Sequence, residues 1–119
     1  MTVKKAESFL PLTHTTYFIL LALFSPLHGY GIMKAVEEMS EGTVKLGPGT
    51  LYGALGKLEK QQLIEKYGNS LLDQKKNYRL TKLGKETVRL EYIRLETVTR
   101  ISRKVLNSLE GVDYDEKSL

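Results

Sequence analysis

The sequence predicts a mainly α-helical fold carrying one small β-hairpin, and three observations predict it. Apolar residues recur at helical spacing in three short segments before residue 62. Two β-prone runs flank a polar turn between residues 63 and 80. From Thr81 to Leu109 the chain then has no proline and only Gly84 near the start, which predicts one long helix.

The first segment, Thr13 to Phe24, alternates too little for a half-buried strand. Its Thr-His-Thr-Thr start before a run of Leu, Ile and Ala predicts a buried helix capped by hydroxyls, stopped by Ser25 and Pro26. A second helix is expected over Tyr30 to Met39, with Ile32, Val36 and Met39 as its inner stripe and Lys34, Glu37 and Glu38 outside it. Ser40, Glu41 and Gly42 end it, and Thr43 to Leu46 is read as extended.

Pro48 then opens a third helix running to about Gln62, in the first-turn position where no intrahelical N–H is lost. Leu51, Leu55 and Leu58 form its inner stripe with Ala54 beside them, and Gly49, Thr50, Gly53, Gly56, Lys57 and Lys60 face outward. Glycines within a helix each cost about 1 kcal/mol relative to alanine. A face that smooth implies close approach of something, either a nucleic-acid backbone or another helix.

Leu63 to Tyr67 and Asn77 to Leu80 read as two strands with a polar tip between them. On the long helix Leu90, Val98, Ile101, Val105 and Leu109 share one face, while Arg89, Arg94, Arg100, Arg103 and Lys104 are distributed around the rest. Such a helix of about 28 residues is roughly 42 Å long, more than a small domain can cover. A second copy of the chain is expected to cover it.

At 119 residues the chain fits a single core. Its 41% apolar and 27% charged residues suit a globular protein. The net charge of +4 is unevenly placed: residues 41–81 carry seven basic and four acidic groups, 82–107 seven and three, and 108–119 one and four. The basic excess in the middle favours polyanionic partners. The reading is therefore an arm over 1–12, a DNA-binding unit over 13–81, a dimerisation helix over 82–110 and an acidic tail over 111–119, expected to be disordered.

Absence of cysteine excludes disulfides, thiolate metal sites and cysteine nucleophiles, and makes the cytoplasm the simplest address. The apolar stretch Tyr17 to Phe24 is too short for a bilayer and lacks a small-residue cleavage site, so neither a membrane span nor a leader is expected. His14 and His28 are the only histidines, too few for a metal cluster or a triad; no cofactor and no enzyme activity are expected. Gly42 to Gly47 has phosphate-loop spacing, but Pro48 stands where the lysine is needed. His28 is read as closing a turn and Tyr30 as a core residue at a helix start.

Helix, helix, turn, helix, hairpin is the order of a winged helix-turn-helix, in which the third helix enters the major groove and the hairpin flanks it. An α+β domain using the same elements only for a core is the rival. The third helix favours the first: its outer face has two lysines and no acid, Thr50 lies near the positively polarised helix start, and Tyr52 sits at the rim as a hydroxyl donor. Lys75 and Lys76 lie where the hairpin could reach a neighbouring phosphate. The DNA-binding set is thus Gly49, Thr50, Tyr52, Gly53, Lys57, Lys60, Lys75 and Lys76.

Five fragments carry a family resemblance: Leu20-Leu21-Ala22-Leu23, His28-Gly29-Tyr30-Gly31-Ile32, Gly49-Thr50-Leu51-Tyr52, Leu63-Ile64, and Tyr78-Arg79-Leu80-Thr81-Lys82-Leu83-Gly84. In joint spacing the sequence resembles the PadR family of winged-helix regulators, in its short subgroup with a single C-terminal helix. The resemblance implies a homodimer held by that helix, binding a roughly two-fold symmetric double-stranded operator and repressing a nearby gene until a small molecule releases it. By position it makes Gly49 to Tyr52 the recognition-helix start, Tyr52 a phosphate contact, and Lys75 and Lys76 the wing. Gln62 stands where the family usually has glycine, and Asn77 where an aromatic or basic residue is common; both bear on wing geometry.

The dimer interface is expected to comprise Leu90, Val98, Ile101, Val105 and Leu109, with Phe9 and Leu10 packing against the partner's long helix. A small aromatic effector there, a phenolic acid or drug-like molecule, is implied by the family, although the chain has no tryptophan on which a flat drug could stack. The alternative function is a winged-helix adaptor that binds protein and not DNA.

Overall fold

A computed structural model describes residues 2–68 and 76–110. The expected disorder of 111–119 and the position of Lys75 lie outside those residues. The elements follow in the order α1 (Thr2–Glu7), α2 (His14–Ala22), β1 (Leu27–His28), α3 (Gly29–Met39), α4 (Pro48–Lys60), β2 (Ile64–Tyr67), β3 (Asn77–Leu80) and α5 (Lys82–Glu110).

Local chemistry sets each helix start. Thr13 caps α2, its hydroxyl accepting from the Thr16 N–H at 3.1 Å. His28 caps α3 through Nδ1, which accepts from the Gly31 N–H at 3.3 Å, so the turn it was expected to close is a helix cap. Thr81 does two things at the start of α5: its hydroxyl accepts from the Gly84 N–H at 3.0 Å and donates to the Gln62 carbonyl at 2.6 Å. That second bond ties the long helix to the end of α4.

The core gathers Ile19, Leu20 and Leu23 from α2 and its end, Ile32 and Val36 from α3, and Leu51, Leu55 and Leu58 from α4. Leu63, Ile64 and Leu80 from the hairpin and Val88 from α5 close it. Truncating a fully buried leucine of this set to alanine costs on the order of 2–5 kcal/mol. Met39 departs from its expected place: it is 48% exposed, because α3 ends there and Ser40 turns inward instead. The Ser40 hydroxyl accepts from the Val44 N–H at 2.9 Å, fastening the loop that leads to α4.

The sheet has three strands, in the order β1-β3-β2, all antiparallel. β2 and β3 are the expected hairpin, with Glu65 opposite Arg79 and Tyr67 opposite Asn77. β1 adds Leu27 opposite Tyr78 and His28 opposite Asn77. Two residues are too short a run to show alternation, which is why β1 carries no sequence signal.

The arm is partly helical: α1 packs on α5 of the same chain and buries Ala6 completely. Phe9 and Leu12, just beyond it, pack half-buried against the core. α5 leaves the domain as a 29-residue rod, and the molecule is 61 Å in its longest dimension. Among the described residues no helix is long and apolar enough to cross a membrane.

Candidate nucleic-acid interface

α4 divides cleanly into two faces. Leu51, Leu55 and Leu58 are at most 3% exposed, while Gly49, Thr50, Gly53, Lys57 and Lys60 lie on the surface and Gly56 is half-buried. A Cβ built on Gly49, Gly53 or Gly56 would meet no atom within 4 Å. The smooth face is therefore not explained by packing within the chain. It is open, and a partner's backbone can approach it closely.

The start of α4 is electrostatically open as well. Gly47 at the cap position offers no side chain, Pro48 has no N–H, and the first turn contains no acidic residue. The N–H groups of Gly49 and Thr50 and the positive end of the helix dipole thus face outward beside the Thr50 hydroxyl. Such an end favours an anion, phosphate included.

Tyr52, half exposed, stands at the rim and lies against Gly29, the first residue of α3. The starts of α3 and α4 meet there. Tyr30, the next residue, is 66% exposed. It is not the core residue expected from its position between two glycines; its ring instead stacks on His28, centroids 6.5 Å apart and planes 19° apart. Exposed tyrosines from α3 and α4 thereby flank one helix junction. Nothing in the amino-acid pattern distinguished an outward Tyr30 from an inward one.

On the hairpin the charges are mostly committed. Arg79 donates from Nε to Glu65 at 2.9 Å and lies 4.3 Å from the centroid of the Tyr67 ring, bracing β2 against β3. Lys66 reaches Glu59 at 3.7 Å. Lys76, just before β3 at the turn end of the hairpin, is exposed. Tyr78, buried beneath, has its phenol pushed above the ordinary value of 10.0 by burial first, then by the charges of Glu59 and Tyr52.

α5 carries an apolar stripe in the open. Val98, Ile101, Val105 and Leu109 are 46–76% exposed, and Tyr92 and Ile93 are exposed as well. Leu90 is only half-buried within its own chain. At 100° per residue Tyr92 and Ile93 fall to either side of the expected face and not on it. Among the described residues no group of three or more His, Cys, Asp or Glu side chains could hold a metal ion.

A family model described as the transcriptional regulator PadR-like family matches residues 19–90, the stretch from α2 into the start of α5. Among curated proteins, the chain is 40% identical over 86 residues to an uncharacterized 37.1 kDa protein in transposon TN4556 of Streptomyces fradiae, covering 70% of this chain. The chain spans 22% of that relative and 62% of a second, from Lysinibacillus sphaericus. Among solved structures it is similar to a PadR family transcription regulator from Clostridium difficile R20291, with TM-score 0.66 and 24% identity over 79% of this chain and 99% of that one. It is also similar to RosR of H. salinarum, with TM-score 0.59 and 27% identity over 85% of this chain and 99% of the other.

Proposed function

Because the chain belongs to the PadR-like family of transcriptional regulators, we propose that it is a cytoplasmic homodimer that represses transcription by binding double-stranded operator DNA through α4. The observation that carries this reading is the open face of α4: two lysines, Thr50 and three glycines without a neighbour, on a helix whose other face is fully buried. Thr50 and Lys57 would meet base edges or phosphates, Tyr52 and Lys60 the backbone, and Lys75 and Lys76 a phosphate beside the groove.

The apolar stripe of α5 is the surface for a second copy. Two such chains would address half-sites about one helical turn apart. The helix offers few side chains able to make bidentate base contacts, so specificity would come as much from half-site spacing and DNA shape as from α4. Release by a small aromatic effector at the dimer interface belongs to the same reading and rests on the family alone.

The test is a gel-shift titration of the full chain against duplexes covering the region upstream of its own gene, repeated over a range of salt. The expected result is a shifted complex whose log affinity falls linearly with log salt. An absence of any shifted duplex, together with capture of a protein partner that survives raised salt, would replace this reading with that of an adaptor.

A further inference from the structure

A cavity of about 280 Å³ opens between the N-terminal arm, the start of α2 and the flank of α4. Its lining shares no residue with the exposed stripe of α5, and it includes Phe9 of the arm, a residue also expected at the dimer interface. The volume sits near the lower end of small-molecule sites, roughly 300–1,000 Å³. Phe9, Leu12 and Leu58 supply apolar walls; Thr16, Gln61 and Lys57 supply polar groups.

The electrostatics of this lining are one-sided. Among the described residues Lys57 is its only charged side chain; it is exposed and makes no ion pair with any of them. No carboxylate among the described residues lines the cavity, and neighbouring Glu59 is turned toward Lys66. An occupant therefore gains from one negative charge at the Lys57 end and an apolar body against Phe9, Leu12 and Leu58.

We propose that this cavity binds a compact organic monocarboxylate, whose carboxylate pairs with Lys57. The site lies on the helix assigned above to DNA, and Lys57 belongs to both. A carboxylate held there occupies the ammonium group that would otherwise neutralise a phosphate, so ligand and DNA compete for one charge. The competition rests on the proposed DNA-binding role of α4; the site itself does not.

The probes are cyclohexanecarboxylate and its neutral isostere cyclohexanecarboxamide, titrated into the ¹⁵N-labelled full chain at constant ionic strength. The carboxylate is expected to shift amides in two stretches, Phe9 to Thr16 and Ala54 to Gln61, and to bind roughly tenfold more tightly than the carboxamide, as expected for one charge-assisted contact. Lys57→Gln should bring the two affinities together. Gln61→Trp, which fills the mouth, should abolish the shifts. In a second arm the carboxylate should weaken binding of a short duplex by the wild-type chain and not by Gln61→Trp.

Shifts that fall along α5, no shifts at all, or equal affinities for the two probes in the wild-type chain would overturn the site. Carboxylate binding that persists unchanged in Lys57→Gln would overturn the pairing. A chain that shows the predicted amide shifts and binds no duplex leaves the site standing and removes the DNA-binding reading; one that binds duplex without the shifts does the reverse.

Discussion

The phenol of Tyr52 lies over Gly29 so closely that a Cβ on Gly29 would stand 2.7 Å from the Tyr52 Cζ and 3.3 Å from its Cε1. Only a residue without a side chain leaves room for the ring. The pair joins the first residue of α3 to the second turn of α4, and the close approach fixes where the hydroxyl is presented. A glycine in one helix thereby sets the position of a candidate phosphate contact in the next.

Gly29→Ala should separate binding from stability. The clash is with the far end of a half-exposed side chain, so the ring can swing away at little cost, and alanine is the better helix former by up to about 1 kcal/mol. Thermal unfolding is expected within a few degrees of wild type, while duplex affinity falls several-fold. Equal loss in Gly29→Ala and Tyr52→Phe would show that the glycine acts through the phenol.

Tyr52→Phe removes one hydroxyl donor and keeps the ring, so it should weaken duplex binding by a factor of roughly 3–10, the value of a single hydrogen bond. Lys57→Ala removes a charge. It should weaken binding and also lower the slope of log affinity against log salt by about one phosphate's worth. A slope unchanged by Lys57→Ala would mean that this lysine faces away from the backbone.

Gln62 has φ of 63°, the left-handed conformation that glycine adopts without penalty. It follows the end of α4, where the Leu63 N–H donates to the Leu58 carbonyl at 3.0 Å and the Gln62 N–H to Glu59 at 2.9 Å. This is the bonding of a Schellman ending, with Leu58 and Leu63 both buried. Gln62→Gly should therefore stabilise the chain by about 0.5–1 kcal/mol, relieving a non-glycine residue of a left-handed backbone. A melting temperature raised by a few degrees would be the sign of it.

That position also marks how far the sequence could be read. The helical stripes of α2 and α4, the hairpin and the length of α5 follow from apolar periodicity and turn chemistry, because one face of each element is buried in a single core. Gln62 was visible as a departure from the family pattern, yet its geometry follows from the end of α4. Tyr30, Met39 and the helical arm were not legible for another reason. A residue at the edge of a stripe turns in or out according to where its helix stops, and α1 is held by α5, far away in sequence.

Gly84 contrasts with Gly29. A Cβ at residue 84 would stand 3.1 Å from the carbonyl carbon of Leu63 and closer still to its oxygen, both backbone atoms that cannot rotate aside. Gly84→Ala must push α5 away from the end of α4 and should destabilise by about 1–3 kcal/mol, typical of overpacking. Denaturant unfolding would show a lower midpoint. A midpoint like that of wild type would mean that α5 is free to slide on the hairpin.

Tyr17 and Tyr78 should give the protein an alkaline limit. Burial is the main cause that raises both phenols above 10.0; Glu91 adds to it at Tyr17, and Glu59 at Tyr78. A folded-state value above the unfolded one means that the folded chain holds the proton more tightly. Stability is then unaffected below the unfolded value and falls as pH rises through about 10 toward the folded value. Thermal midpoints measured upward from about pH 9 should decline in wild type. In Tyr78→Phe, whose lost hydroxyl makes no hydrogen bond among the described residues, the decline should be shallower; an identical decline would assign the alkaline loss to other groups.

Glu91 presents the sharper electrostatic case, because its carboxylate is 1% exposed on α5 and accepts from Arg94 Nε at 2.7 Å and Nη2 at 2.9 Å. The arginine, whose side chain is 38% exposed, reaches from the wetter side and compensates a charge that the core could not otherwise tolerate. Removing the arginine alone strands that charge, whereas replacing both residues with apolar ones removes the problem together with the pair. Arg94→Leu should therefore melt well below wild type, and Glu91→Leu with Arg94→Leu should recover most of the difference. The two effects must be non-additive if the residues act through each other; additive losses would show that each contributes through packing alone.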